Sequence, residues 1–274
     1  MSKIDPMLHF QGLAGCQNEQ INLAQSALAI AATEYYDLDP EPWIEALDRL
    51  AARVQAGPEL SPLSNIAAIN KVLFEEEKFC GNKEEYDDPR NSFLNDVLGR
   101  KKGIPITLSL VYTEVARRKG LPITGVGFPG HFLVKHPGPP AEIVIDPYNR
   151  GTILSHADCS ALLKDSFGPE TELKPEYLLN ATRKQILARM LNNLKGSYYR
   201  RNDYPKVLAM IELALAAGLD IVANVRDRGM VYFAMRRYSD AVTQLKLYLG
   251  LAGGDDPEVQ EVLVMLGRIK GMMN

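Results

Sequence analysis

Apolar residues recur at helical spacing over most of this chain, and β-branched runs interrupt that pattern in one place. In residues 19–35 (NEQINLAQSALAIAATE) Ile21, Ala24, Leu28 and Ala31 share one face, which predicts a helix capped by Asn18. Pro40 stops that segment, because the residue before a proline disfavours helix. A second helix is predicted from Glu41, with Pro42 in its first turn, a stripe of Trp43, Leu47, Leu50 and Val54, and a stop at Gly57-Pro58. A third follows over 61–77 along Ile66, Ile69 and Leu73. Residues 79–91 are polar and rich in turn formers, hence a loop. A short helix follows, ending near Gly99. Over 106–120, Leu108, Val111, Val115 and Ala116 define a strong helix, with Arg117 to Lys119 suited to its negative end and Gly120 to its exit.

The character then changes. Residues 123–136 and 142–148 are short and rich in Val, Ile and Phe, and read as two antiparallel strands joined across Pro-Gly-Pro-Pro at 137–140. Residues 151–168 return to helix and loop. From Thr182 the pattern is helical to the end, and it repeats. Tyr198 and Tyr232 are 34 residues apart, as are Tyr204 and Tyr238, Val207 and Ala241, and Leu215 and Leu249. Each unit reads as helix, turn with a tyrosine, helix. That period is the tetratricopeptide signature, and PEVQEVLVMLGRIKGMMN supplies a capping helix.

Composition changes this picture little. A net charge of −3 gives no global reason to bind nucleic acid or an anionic membrane. Cys16, Cys80 and Cys159 are odd in number and widely spaced, so neither a disulfide framework nor a zinc site is suggested. His136 and His156 have no metal-ligand spacing; no metal and no cofactor is assigned. Residues 1–15 lack an apolar stretch behind a basic start, and no apolar run is long enough to span a bilayer. The expectation is a cytoplasmic protein. Gly125, Gly127 and Gly130 spell G-x-G-x-x-G, but the motif runs within a strand, contains Pro129 and opens no helix, so it holds no nucleotide phosphate.

The candidate chemistry lies at the helix-to-strand transition. Gly103-Ile104-Pro105 leads into a helix ending ARRKGLP, then comes Gly130-His131-Phe132, then Ile145-Asp146-Pro147. This order resembles the transglutaminase-like branch of the papain superfold. There a cysteine opens the helix, a histidine opens the next strand and an aspartate ends the one after. The logic is a thiolate stabilised by a helix N-terminus, an imidazole paired with it, and a carboxylate orienting the ring. The resemblance places the histidine at His131 and the aspartate at Asp146. It places the cysteine at Pro105 or Ile106, neither of which is a nucleophile. Thr107 and Ser109 are nearby hydroxyls, and Ser109 lies about one turn too far along. Cys80, in the loop before, is the other thiol that could approach.

The block PRNSFLNDVLGRKKGIPITLSLVYTEVARRKGLPITGVGFPGHFLVKH, the later IDPYN and the N-terminal INLAQSALAIAATEYYDLDPEPWIEALDRLA are similar to the SirB family of bacterial proteins. These are described as transglutaminase-like plus tetratricopeptide proteins, and the name suggests regulation of expression. The expected fold is therefore α+β and mostly helical. Residues 1–180 would form a helical segment plus a transglutaminase-like core with a small antiparallel sheet, and 181–274 helical repeats. The expected function is that of a pseudoenzyme, a non-catalytic interaction or regulatory scaffold. It would bind a protein or peptide through the repeats, with Tyr198 and Tyr232 as candidate contacts, and neither nucleic acid nor membrane. The alternative is an amide-bond enzyme (peptidase, amidase or acyltransferase) using His131 and Asp146 with Thr107 or Cys80 as nucleophile.

Overall fold

The computed structural model describes residues 5–138, 141–253 and 256–273. The first four residues of the segment read for a leader, and Pro139 and Pro140 of the hairpin connection, lie outside that range. The described residues include twelve α-helices and six short strands. The chain divides into two compact units, residues 1–190 and 191–274.

The first unit opens with α1 (Pro6–Ala14), capped by Asp5, a helix that hydrophobic spacing did not reveal. α2 (Leu23–Ala31) starts later than expected. Asn22 caps it by accepting from Gln25 N, while Asn18 opens a short 3-10 turn and accepts from Lys184 N instead. α3 (Glu41–Arg53) has its proline in the first turn as predicted, and leaves the helix at Val54, before Gly57. The predicted helix over 61–77 is two structures. α4 (Pro62–Asn70) continues into a π-helical stretch, Lys71–Glu76, whose Val72, Leu73 and Phe74 are all buried. The expected loop at 79–91 contains β1 (Cys80–Gly81) and a 3-10 turn at Pro89–Asn91. α5 (Leu94–Arg100) follows, then β2 (Lys102–Gly103), which pairs parallel with β1.

α6 (Pro105–Arg118) is the central element, with side chains buried almost all round. Its one buried acid, Glu114, is neutralised by Arg117 and Arg118 from the same helix. α6 packs against β3 (Thr124–Val126) and β4 (Leu133–His136), which belong to a four-stranded antiparallel sheet ordered β3-β4-β5-β6. β5 is Ile143–Asp146 and β6 is Thr152–Leu154. The single predicted strand over 123–136 is two. Pro129 has no N–H for a ladder, and Gly130 turns at φ +68, so the chain reverses and Gly125 pairs with Val134. β6 was missed because it is three residues long and mostly exposed. All four residues of β4 are buried, so the strand is covered on both faces. Leu133 and Val144 pack with Cys159 and Leu163 of α7 (His156–Phe167).

α8 (Arg183–Arg200) leads into α9 (Tyr204–Ala216), α10 (Ile221–Ala234), α11 (Tyr238–Leu251) and α12 (Val259–Met273). The 34-residue period holds at the level of backbone angles. Asn202 and Arg236 both turn left-handed, at φ 58 and 60. Asp203 and Arg237, which follow them, share φ −85 and ψ 66. Each of these last two donates its N–H to the equivalent tyrosine carbonyl, Tyr198 O at 3.0 Å and Tyr232 O at 2.8 Å. A basic side chain covers each tyrosine ring, Lys206 on Tyr198 and Arg237 on Tyr232. The core of α10–α12 is Val225, Ala241, Leu245, Tyr248, Val262 and Ile269.

Candidate functional site

His131 follows the Phe128–Gly130 turn, two residues before β4 begins at Leu133, and Asp146 is the last residue of β5. Because these strands are antiparallel neighbours, the start of one meets the end of the other. His131 Nε2 lies 3.0 Å from Asp146 Oδ1, with the aspartate 1% exposed. The carboxylate also accepts from the backbone N–H groups of Tyr148 and Asn149 (3.0 and 3.3 Å) and from Asn149 Nδ2 (2.7 Å). Burial pushes this carboxyl upward. The bonds from His131 and Asn149 outweigh it and hold the group below the usual aspartate range. An ionised carboxylate only accepts, so in the neutral imidazole Nε2 carries the proton and Nδ1 keeps its lone pair. Nδ1 has no hydrogen-bond partner among the described residues.

The surroundings of the pair come from three elements. The His131 and Tyr148 rings meet nearly at right angles, with centroids 5.7 Å apart. Tyr148 in turn lies over Gly81 of β1, so closely that an added Cβ there would fall 2.4 Å from the ring. Cys80 precedes that glycine, is half-buried, and acts electrostatically on the Tyr148 hydroxyl, whose pKa is raised chiefly by burial. α6 is the third element, packed against β4 and the Pro147–Asn149 turn. Pro105 and Ile106, at the start of that helix, are both buried.

The hydroxyls near them are occupied. Thr107 is fully buried. Its Oγ1 accepts from Ile104 N at 3.1 Å, capping α6, and lies 2.7 Å from Asn91 O, to which it donates. Asn91 belongs to a buried network: its Oδ1 accepts from Asn82 Nδ2 at 3.0 Å, and its own Nδ2 donates to Glu85 O. Ser109 Oγ donates to Phe132 O at 3.3 Å, tying α6 to the residue after His131. The polar residues 79–91 are thus a support for the start of α6 rather than a free loop. Tyr148, Asn149, Asn82 and Asn91 belong to no motif of the superfamily pattern. Their signals were present, as the Y-N after the D-P and the asparagines of the turn-rich segment.

In the second unit, the two repeat tyrosines serve packing. Tyr198 is 3% exposed and Tyr232 joins the α10–α12 cluster, so the buried Tyr198 ring offers no face to a partner. The neighbour Tyr199 is 46% exposed and meets Tyr204 edge-on. It lines a cavity of about 560 Å³ with Lys195, Arg226, Met230 and Glu258. Lys195 is fixed there by Asn224 Oδ1 at 2.8 Å and Asp227 Oδ2 at 2.7 Å.

Known proteins are similar to this chain in both of its units. A family model described as the transglutaminase-like superfamily matches residues 41–192, more than half of the chain. The chain belongs to that superfamily. A second model, described as tetratricopeptide repeat, matches residues 194–267. A UPF0162 protein of Xylella fastidiosa is 33% identical over 271 residues, covering 97% of this chain and 95% of the relative. Membership therefore extends to the UPF0162 proteins. One from Vibrio cholerae is 29% identical over 84% of this chain and 86% of its own length. F-box only protein 21 of Mus musculus is 32% identical over 177 residues, which is 61% of this chain and 27% of that protein. No solved structure matches. A transglutaminase-like domain followed by helical repeats is therefore the architecture of the chain. Among the described residues no helix is long and apolar enough to cross a membrane.

Proposed function

We propose that this protein is a pseudoenzyme: a cytoplasmic, transglutaminase-like scaffold that works by holding a protein or peptide partner. In this reading residues 1–180 form the core and the repeats from 181 carry the partner. The regulatory role implied by the SirB resemblance would be exerted through that partner. The observation that supports it most is the start of α6. Where the superfamily chemistry needs a thiol, this chain has Pro105 and Ile106, and the adjacent Thr107 hydroxyl is committed to Asn91 and Ile104. A buried hydroxyl that caps its own helix is poorly placed to become a nucleophile. The His131–Asp146 bond then serves to join β4 to the β5 turn. The partner surface favoured by exposure is the cavity around Tyr199 and Met230, since peptides dock where aromatic and apolar side chains are accessible. The test is turnover of a panel of glutamine-donor, peptide and ester substrates by the full chain. The expected result is none above buffer. Turnover abolished by His131→Ala would sink the proposal.

A second reading has one observation in its favour. Cys80 lies next to Gly81, on which Tyr148 rests, and Tyr148 contacts His131. An amide-bond enzyme with a displaced nucleophile would use this thiol. It predicts that Cys80→Ser and His131→Ala each abolish the same turnover.

A further inference from the structure

α12 buries Val262 and Ile269 against α10 and α11, with Met265 and Leu266 packed into the same cluster. Its opposite side is not wholly the polar surface of a solvent-facing helix. Val264 is 58% exposed on it, with Leu263, 48% exposed, at its edge. At 3.6 residues per turn, Gln260, Val264, Gly267 and Gly271 lie diametrically opposite Val262 and Ile269. Their alternating four- and three-residue spacing is that of a seam along which one helix packs on another. The two glycines stand inside a helix, where glycine is disfavoured. Nothing among the described residues accounts for them, since an added Cβ would meet no atom within 4 Å at either position. Charges flank the seam, with Glu261 towards one end and Arg268 and Lys270 towards the other. Among the described residues none of the three is in an ion pair.

We infer that this outer face of α12 is a self-association surface, on which a second copy of the chain lays its own α12 antiparallel. The choice of a second copy follows from self-complementarity, which a two-fold interface requires. With the axis between Met265 and Leu266, Val264 of each copy falls opposite Gly267 of the other, and Gln260 opposite Gly271. Large side chains meet the spaces left by glycine. Glu261 falls near Arg268 of the second copy, because an antiparallel two-fold brings the same flank of the two helices together. The helix dipoles are also opposed, which favours the antiparallel pair.

The test is sedimentation velocity of the full chain over a concentration series, with far-ultraviolet circular dichroism as the folding control. A reversible dimer is expected. Val264→Glu should raise its dissociation constant on the order of 100-fold by burying two unpaired charges. Gly267→Leu, which installs a good helix former, should do the same with helicity unchanged. Glu261→Arg should weaken the dimer, and Glu261→Arg combined with Arg268→Glu should restore it. A monomer at every concentration overturns the inference. So does a dimer indifferent to Val264→Glu and Gly267→Leu, or a charge reversal that the second reversal fails to rescue.

Discussion

Asp146 accepts from four donors: the His131 ring, two backbone N–H groups and the Asn149 amide. Its carboxyl sits below the ordinary aspartate value of about 3.9 because those bonds exceed the cost of its burial. The sign of the pH dependence follows. A depressed native pKa contributes stability that is fully present above the unfolded value and is lost as pH falls through the native value. Asp146→Asn keeps the shape but turns one acceptor into a donor facing other donors. It should cost about 1–3 kcal/mol at neutral pH. Urea midpoints measured from pH 7 downwards should show the gap between wild type and variant closing once the pH is below about 4. A gap that stays constant through acid would mean that the charge of Asp146 is not what holds the turn. At this scale the sequence was half legible. His131 and Asp146 were found because order along the chain mirrors a known arrangement. Tyr148 was not, because its role depends on Gly81, 67 positions earlier, leaving room for its ring.

The elements that were read well are those with locally complete signals. α3 has its proline, its stripe and its polar face in one window, and the repeat period placed α9 to α11. The ones misread answer to distant partners. The π-helical stretch at Lys71–Glu76 offers Phe74 O to Arg150, 76 residues away, and no local periodicity contains that bond. The strand over 123–136 looked continuous because its apolar residues continue through the turn: Phe128 and Phe132 are buried on either side of Gly130. One close approach in the repeats can be tested directly. Gly229 of α10 lies against Leu245 of α11, and an added Cβ would fall 2.7 Å from the Leu245 Cδ2 atom. Leu245 is fully buried and has nowhere to turn. Gly229→Ala gains intrinsic helix propensity yet should destabilise the repeats by about 1–3 kcal/mol through overpacking. Thermal unfolding followed by circular dichroism reports the sign, and a raised midpoint would show that propensity wins over packing at this contact.

Across the whole molecule, the chain is a transglutaminase-like domain followed by helical repeats, and the bonded His131–Asp146 pair lies in the first. In the proposed reading that pair and the start of α6 are kept from the superfamily's site and the thiol is lost. The pseudoenzyme reading therefore makes a constructive prediction. Pro105→Cys and Ile106→Cys, each made with Cys80→Ser, put a thiol at the two positions that the family pattern allows. The correct one gains the field of the α6 N-terminus and an imidazole as counter-ion, both of which favour thiolate. Its pKa should fall below the free value of about 8.5, read as ultraviolet thiolate absorbance against pH, and adding His131→Ala should raise it again. Absorbance needs no reagent to enter, and burial, which by itself raises a thiol pKa, is shared by the variants with and without His131, so their difference reports the imidazole. If neither thiol is shifted, or the shift ignores His131, then the dyad does not face the start of α6. The site would then have changed its geometry as well as its nucleophile. If one thiol responds as expected, the frame has been kept intact around an absent reaction, as a scaffold descended from a catalyst would keep it.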